Sequence, residues 1–348
     1  MVDQQQIYFS YEGVGCPEVI SGDAFVMAAL VPAMKRGENL SIDDSVPVSR
    51  GLLENLGLYQ QIFGQWYPGL TRIQIIAENE LQSSYPGSGS GCFFSGGVDS
   101  LYTVSKTAEE LDHLVVCLGL DISIKEKQRW EKNLTFCRQF SRSCGLNLIS
   151  ITTNVKEHLD TKEIDNHGAI LVSTGIGIGL EKLFVPASHG YSDLFPCGSH
   201  PVSDPLLSNG RTRVIHHGNV FRTDKTRDII DWPHGLDELR VCNVHSDYNC
   251  GKCEKCLRTM TALKLCNRKV DSLPDLPNFD CLEDIRLEKQ NQYVFWTENY
   301  QLAKDVGNVE AQKAIGRLLA RFRKREVLKE VDEIFLHGAL IRLKRALL

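Results

Sequence analysis

The hexapeptide Ser95-Gly96-Gly97-Val98-Asp99-Ser100 stands between a short apolar run, Cys92 to Phe94, and a helical period, Leu101 to Leu111. A strand that passes through two glycines directly into a helix aims converging backbone N–H groups, and the positive end of the helix dipole, at an anion. Gly96 and Gly97 allow close backbone approach. Ser95 and Ser100 offer hydroxyls to phosphate oxygens, and Asp99 suits a Mg2+ that bridges the phosphates. Read this way, Ser95 through Ser100, including Val98, is a polyphosphate-binding loop. An ordinary strand–helix turn is the alternative, because Ser, Gly and Asp are also common turn residues.

The stretch around this loop fixes the fold class. Downstream, apolar runs at His113–Leu120, Leu146–Thr152, Phe184–Ala187 and Arg213–His216 alternate with helical periods at Lys125–Cys144 and Ala169–Leu183. Strands alternating with helices imply right-handed crossovers and a doubly wound parallel α/β sheet, whose ligands sit beyond the carboxyl ends of the strands. Upstream, strand-like Ile7–Tyr11 and Arg72–Ala77 bracket an amphipathic pattern from Ala24 to Tyr67, a small α+β unit. The turn-rich run from Ser83 to Gly91 reads as a boundary, with a surface loop inside one domain as the alternative. The expected organisation is an α+β unit over 1–85, the loop-bearing domain over 91–240, and a mostly helical C-terminal region over 241–348.

A net charge of −5 and a pI near 6.1 give no global cationic excess, so nucleic-acid binding is not favoured. The arginines and lysines between Arg317 and Arg325 are interleaved with Glu326, Glu330 and Asp332 and read as a solvated helix face. The apolar stretch Ala24–Met34 is too short for a membrane span, and the first residues lack a basic leader, so a cytoplasmic, non-membrane chain is expected. A homodimer is an open alternative to a monomer.

Twelve cysteines raise the question of disulfides. Cys92, Cys117 and Cys137 fall in apolar segments as small hydrophobes, whereas Cys242, Cys250, Cys253 and Cys256 are spaced C-x7-C-x2-C-x2-C. Two-residue gaps turn adjacent thiolates onto one ion, Gly251 permits the turn, and Cys242 closes a tetrahedron suited to structural Zn2+. A [4Fe–4S] cluster uses similar spacing, and His245 lies in the same loop.

The chain has no G-x-x-x-x-G-K-[ST] motif, so its loop is not of the Walker type. SGGVDS instead resembles the signature of the PP-loop ATP pyrophosphatases, the adenine nucleotide alpha hydrolase-like superfamily. That resemblance implies cleavage of ATP between the α- and β-phosphates, with AMP joined to a substrate oxygen and pyrophosphate released. With the four-cysteine knot downstream, the chain looks most like the 7-cyano-7-deazaguanine synthases, including divergent members of bacterial antiphage operons. The likeness covers about residues 91 to 260, and those synthases lack a comparable N-terminal unit.

The resemblance implies ATP, Mg2+ and Zn2+ as cofactors, and Asp99 and Lys225 as catalytic residues. It also implies a substrate-binding stretch with His189, Asp193, His200 and Asp204, and a third segment at Arg222–Thr226 with Arg227 beside it. Lys225 and Arg227 are suited to charge building on the α-phosphate, or are exposed helix-start charges. His216 and His217, with His189 and His200, are either acid–base groups or structural histidines. Gly175, Gly177 and Gly179 lie in a helical pattern and read as close packing. The leading expectation is a ligase that adenylates a carboxylate or amide, of deazapurine type, for attack by an amine or ammonia; the acceptor is a small molecule or a protein terminus. A tRNA-modifying sulfur transferase using Cys197 is a second reading, and an ATP-binding subunit of a larger assembly a third.

Overall fold

The computed structural model describes residues 6–13, 21–82, 87–159, 165–234, 239–242 and 248–336. The chain forms two compact units, Met1–Val220 with Asp231–Glu238, and Phe221–Ile230 with Leu239–Leu348.

The first unit is built on a six-stranded sheet of β1 (Phe9–Glu12), β2 (Ser90–Phe93), β3 (His113–Leu118), β4 (Asn147–Thr153), β5 (Lys182–Pro186) and β6 (Arg213–His217). Their order is β1-β4-β3-β2-β5-β6. Strands β2 to β6 pair in parallel, and β1 joins β4 antiparallel, Phe9 facing Thr153 and Glu12 facing Ser150. The fold is therefore α/β with a mostly parallel central sheet. From β2 the chain moves outward to β3 and β4, then crosses back to β5 and β6, so the order reverses between β2 and β5.

Among the described residues, five helices of ten residues or more accompany the sheet, α1 (Asp23–Arg36), α2 (Arg50–Trp66), α3 (Val98–Thr107), α4 (Lys127–Ser143) and α5 (His167–Ile176), with one short helical turn at Val155–Leu159. Both faces are covered, which is why β2 and the middle of β3 are continuous buried apolar runs. Phe93, Val115, Ile149, Ile151, Leu183 and Val214 share one core with α1, α2 and α5. Phe94 turns the other way and stacks on Phe140 of α4, ring centroids 4.6 Å apart.

An independent N-terminal unit does not form. β1 completes the sheet, α1 packs along α5, and Asp23, fully buried, accepts hydrogen bonds from Ser49 N and Oγ and from Asn209 Nδ2. These long-range partners tie β1 and residues 21–76 to the central sheet, so the α+β pattern is a cover over one face. Ser83 to Pro86 lie outside the described residues, but Gly87 to Gly91 are no linker. Gly87 N donates to Arg211 O, Ser88 N to Gly179 O, and Gly91 is already in β2.

The helix expected to run to Leu183 stops at Ile176. Gly175 packs closely, since a Cβ there would lie 2.7 Å from Phe93 Cζ and 2.8 Å from Leu183 Cδ2. Gly177, the C-cap, also packs closely, since a Cβ there would run into the Tyr11 hydroxyl, whereas Gly179, at φ +77°, makes the left-handed turn into β5; two of the three glycines therefore do what the pattern suggested.

The second unit contains α6 (Arg222–Ile230), α7 (Glu254–Leu265), α8 (Gln290–Asp305) and α9 (Val309–Leu336). Helix α6 falls here and not with the loop-bearing domain, because it packs on α7 and α8 and Thr223 N donates to Glu298 Oε2. Trp296 is fully buried and donates to Glu254 Oε1 at 2.9 Å. The basic stretch of α9 is not simply a solvated face. Arg321 donates to Leu282 O and Ile285 O, Arg325 to Leu287 O, and Arg317 pairs with Glu283. The chain beyond Leu336 lies outside the described residues. Among those described, no helix is long and apolar enough to cross a membrane.

Candidate nucleotide site and cysteine centre

The phosphate-loop sequence occupies the carboxyl end of β2, beside the place where strand order reverses. Gly96 is buried and left-handed, φ +74°, a conformation a side chain would strain. Gly97, extended at φ −82° and ψ 165°, caps α3, and fully buried Val98 anchors its first turn. Ser100 Oγ donates to Gly97 O at 3.0 Å and accepts from Ser95 N at 3.3 Å, while Gly97 N donates to Ser95 Oγ at 3.4 Å. Buried Ser100 thus stitches the loop internally, and exposed Ser95 presents its hydroxyl at the rim. Asp99 is half-buried in the first turn of α3. At the far end of β6, His217 Nδ1 lies 3.2 Å from Thr103 Oγ1, tying that strand to the same helix.

The stretch after β5 is organised by Asp204, which is fully buried. It accepts from Ser199 Oγ at 2.6 Å, His200 N at 3.1 Å and His216 Nδ1 at 2.7 Å. It also lies at the start of α5, where a Cβ on Gly168 would meet Asp204 Oδ1 at 3.0 Å. Saturated in this way, Asp204 holds the loop together and keeps His216 oriented. His200 accepts from Val202 N at Nδ1 and packs edge-on against Trp66. Burial, and then His216, push its pKa down, so it is a neutral imidazole with its proton on Nε2. The structure therefore gathers His200, Asp204 and His216. His189 and Asp193 occupy the preceding turn, where His189 packs edge-on against Phe195 and burial raises the Asp193 carboxyl. The Cys197 thiol donates to Ser199 O, and burial, with Asp165 and Asp204 adding to it, pushes it up to about 12.

One pair escaped the sequence reading. Asp165 Oδ1 and His167 Nδ1 are 2.5 Å apart at the start of α5, with side chains 47% and 60% exposed. Burial works against both charges, yet the hydrogen bond from His167 is the main influence that brings Asp165 down to about 2. Asp165, then Asp204 and Asp121, raise the pKa of His167. The available signal was Asp165-Asn166-His167 directly ahead of the apolar run Ala169–Val172, a polar helix start in place of the helix expected from Ala169.

In the helical unit, Lys225 is completely buried in α6, and Arg222 lies over the Phe295 ring at 5.9 Å. Arg227 is exposed and pairs with Asp224 and Asp305, as an ordinary helix-surface charge does.

No protein-family model, curated protein or solved structure matches this chain. Its chemistry rests on its own residues.

The four cysteines are the most completely built centre. The sulfurs of Cys242, Cys250, Cys253 and Cys256 all lie within 4.8 Å of one another, with Cys242–Cys253 at 3.8 Å and Cys250–Cys256 at 3.9 Å. Four thiolates at about 2.3 Å from one zinc stand about 3.8 Å apart along a tetrahedral edge. The cluster fits a single ion of that kind. Gly251 makes its turn at φ +68° against Pro274, and Cys253 caps α7. Asn249 Oδ1 accepts from the N–H groups of Val241 and Cys242, and its Nδ2 donates to Leu239 O and Ser272 O. That side chain locks the upstream ligand against the downstream three. The hydrogen bond with Cys256, ahead of those with Cys250 and Cys242, lowers the Cys253 thiol below the ordinary cysteine range. His245 lies outside the described residues.

Proposed function

We propose that this chain is an ATP-using enzyme of PP-loop ATP pyrophosphatase type on a doubly wound sheet. In this reading it forms AMP and pyrophosphate while activating a carboxylate or amide, of deazapurine type, for attack by an amine or ammonia. The observation that carries the proposal is the position of Ser95–Ser100. The loop leaves the central strand of a parallel sheet, opens a ten-residue helix, and stands where the strand order reverses. Ligands of open α/β sheets bind at that place, and it presents N–H groups to phosphate. Asp99 would hold Mg2+, whose charge neutralises the leaving pyrophosphate. Ser95 and the N–H groups at the start of α3 bind and orient the nucleotide. Joining AMP to the acid gives a weak nitrogen nucleophile a good leaving group to displace.

The spacing of the four sulfurs supports Zn2+ as the resident ion, because the irons of a [4Fe–4S] cube hold their thiolates farther apart than one ion's coordination sphere does. The ion serves the fold, since four sulfurs leave it no open position. Buried, protonated Cys197 weighs against the sulfur-transfer reading, which needs a reactive thiolate. The test is product identity. With ATP, Mg2+, a deazapurine carboxylic acid and ammonium, AMP and pyrophosphate are expected; ADP and orthophosphate overturn the proposal.

A further inference from the structure

The pair Asp165–His167 stands on the same edge of the sheet as the phosphate loop. Strands β2 to β5 run parallel, so the helix returning from β4 to β5 runs against them, and its first turn lies beyond their carboxyl ends. Asp165 and His167 open that helix, Asp121 follows β3, and Ser95–Ser100 follows β2. His167 uses Nδ1 on Asp165 and its side chain is 60% exposed, so Nε2 is the ring nitrogen that Asp165 does not engage. A carboxylate on one imidazole nitrogen fixes the tautomer and leaves the other nitrogen as a directed proton acceptor.

The surroundings differ from those of a surface ion pair. Asp121 approaches from the turn after β3, Tyr59 and Tyr67 from α2, and Cys197 and Asp204 from the loop after β5, with His200 and His216 behind Asp204. Burial and Asp165 push the Tyr67 hydroxyl up to about 12, so it stays protonated. Among the described residues, two fully or nearly fully buried polar atoms beside the pair lack a partner: Tyr59 Oη and Oδ1 of Asn166, the residue between the two members. Buried polar groups normally have hydrogen-bond partners, so these two atoms are points at which a polar molecule would gain one.

We propose that His167 is the proton acceptor for the nitrogen nucleophile and that Asp165 is its positioning residue, an assignment that rests on the adenylation reading above. The amine or ammonia attacks the carbonyl carbon of the acyl adenylate, a C–N bond forms, and the C–O bond to AMP breaks. The proton lost by nitrogen passes to His167 Nε2, while Asp165 accepts the hydrogen bond from Nδ1–H. The Asp121 and Asp204 charges favour the resulting imidazolium. Activity in the amine step therefore rises with pH through a value above that of an ordinary histidine, because only the neutral ring accepts a proton.

The experiment uses the full chain with ATP, Mg2+, a deazapurine carboxylic acid and ammonium chloride. It compares acid-dependent exchange of labelled pyrophosphate into ATP with formation of the amide product. Both side chains are open to solvent, so H167Q and D165N are expected to fold, and circular dichroism checks this. H167Q should keep exchange within about twofold, lose roughly 10²- to 10⁴-fold in amide formation, and lose the rise with pH. D165N should move the rise to lower pH, since its carboxylate no longer supports the charged ring. An H167Q variant that makes amide at the wild-type rate with the same pH profile overturns the proposal and leaves adenylation intact. Wild-type protein that exchanges no pyrophosphate overturns the adenylation reading. Site-resolved NMR of the His167 ring then judges the dyad by itself: a ring indifferent to ATP and Mg2+, titrating at the ordinary histidine value, removes it from the nucleotide edge.

Discussion

At the scale of single residues, the phosphate loop depends on two positions that play different parts. Gly96 carries the backbone through φ +74°, and an L side chain there costs about 1–2 kcal/mol. Gly96→Ala should lower the unfolding free energy from denaturant melts by that amount and weaken ATP binding measured by calorimetry; a variant with unchanged affinity contradicts the loop's role. Asp99 is half-buried in the first turn of α3, where its charge favours the helix N-terminus, so D99A should cost about 1 kcal/mol or less of stability while pyrophosphate release falls roughly 10²- to 10³-fold. The placement of Ser95–Ser100 between a strand and a helix was legible because its six residues are contiguous. The grouping of His200, Asp204 and His216 was legible only as a set of candidates, since the sequence does not show that Asp204 is consumed by hydrogen bonds. Asp165 and His167 went unread because a two-residue polar step before an apolar run is an ordinary helix start, and its meaning lies in Asp121 and Asp204, distant in the chain.

At the scale of elements, strands β2 to β6 and the helices between them could be read from their apolar periods, while their spatial order could not. Pairing order is set by which faces bury one another, and periodicity carries only the period. For the same reason β1 looked like part of a separate unit. Nothing in Phe9–Glu12 announces that it will pair with residues some 140 positions later. Gly175 shows how tightly the layers meet. Gly175→Ala would force its Cβ into Phe93 and Leu183, and overpacking of this kind costs about 1–3 kcal/mol. Denaturant melts of that variant and of Gly64→Ala, where a Cβ meets nothing within 4 Å, should differ by that margin. Equal melts contradict the close helix–sheet contact. In the cysteine centre, Asn249→Ala removes the side chain that bonds to Leu239, Val241, Cys242 and Ser272. Metal affinity should fall about 10- to 100-fold in competition with a chromophoric chelator, as expected when the groups supporting a ligand are lost.

At the scale of the whole molecule, the two compact units carry separate candidate centres: the Ser95–Ser100 loop in the first and four clustered cysteines in the second. The cysteine knot was fully legible, because metal-ligand spacing is a local property. The assignment of α6 to the helical unit was not, since Lys225 and Thr223 look like a loop-edge segment until their burial is known. Elemental analysis should give one zinc per chain in a colourless protein, and C256S should lose it; a brown protein rich in iron contradicts the zinc reading. The most direct measurement is phosphorus NMR of the full chain with ATP, Mg2+, a deazapurine carboxylic acid and ammonium. AMP and pyrophosphate appearing in equal amounts, and failing to appear with D99A, is the predicted result, whereas ADP with orthophosphate, or turnover untouched by D99A, contradicts it.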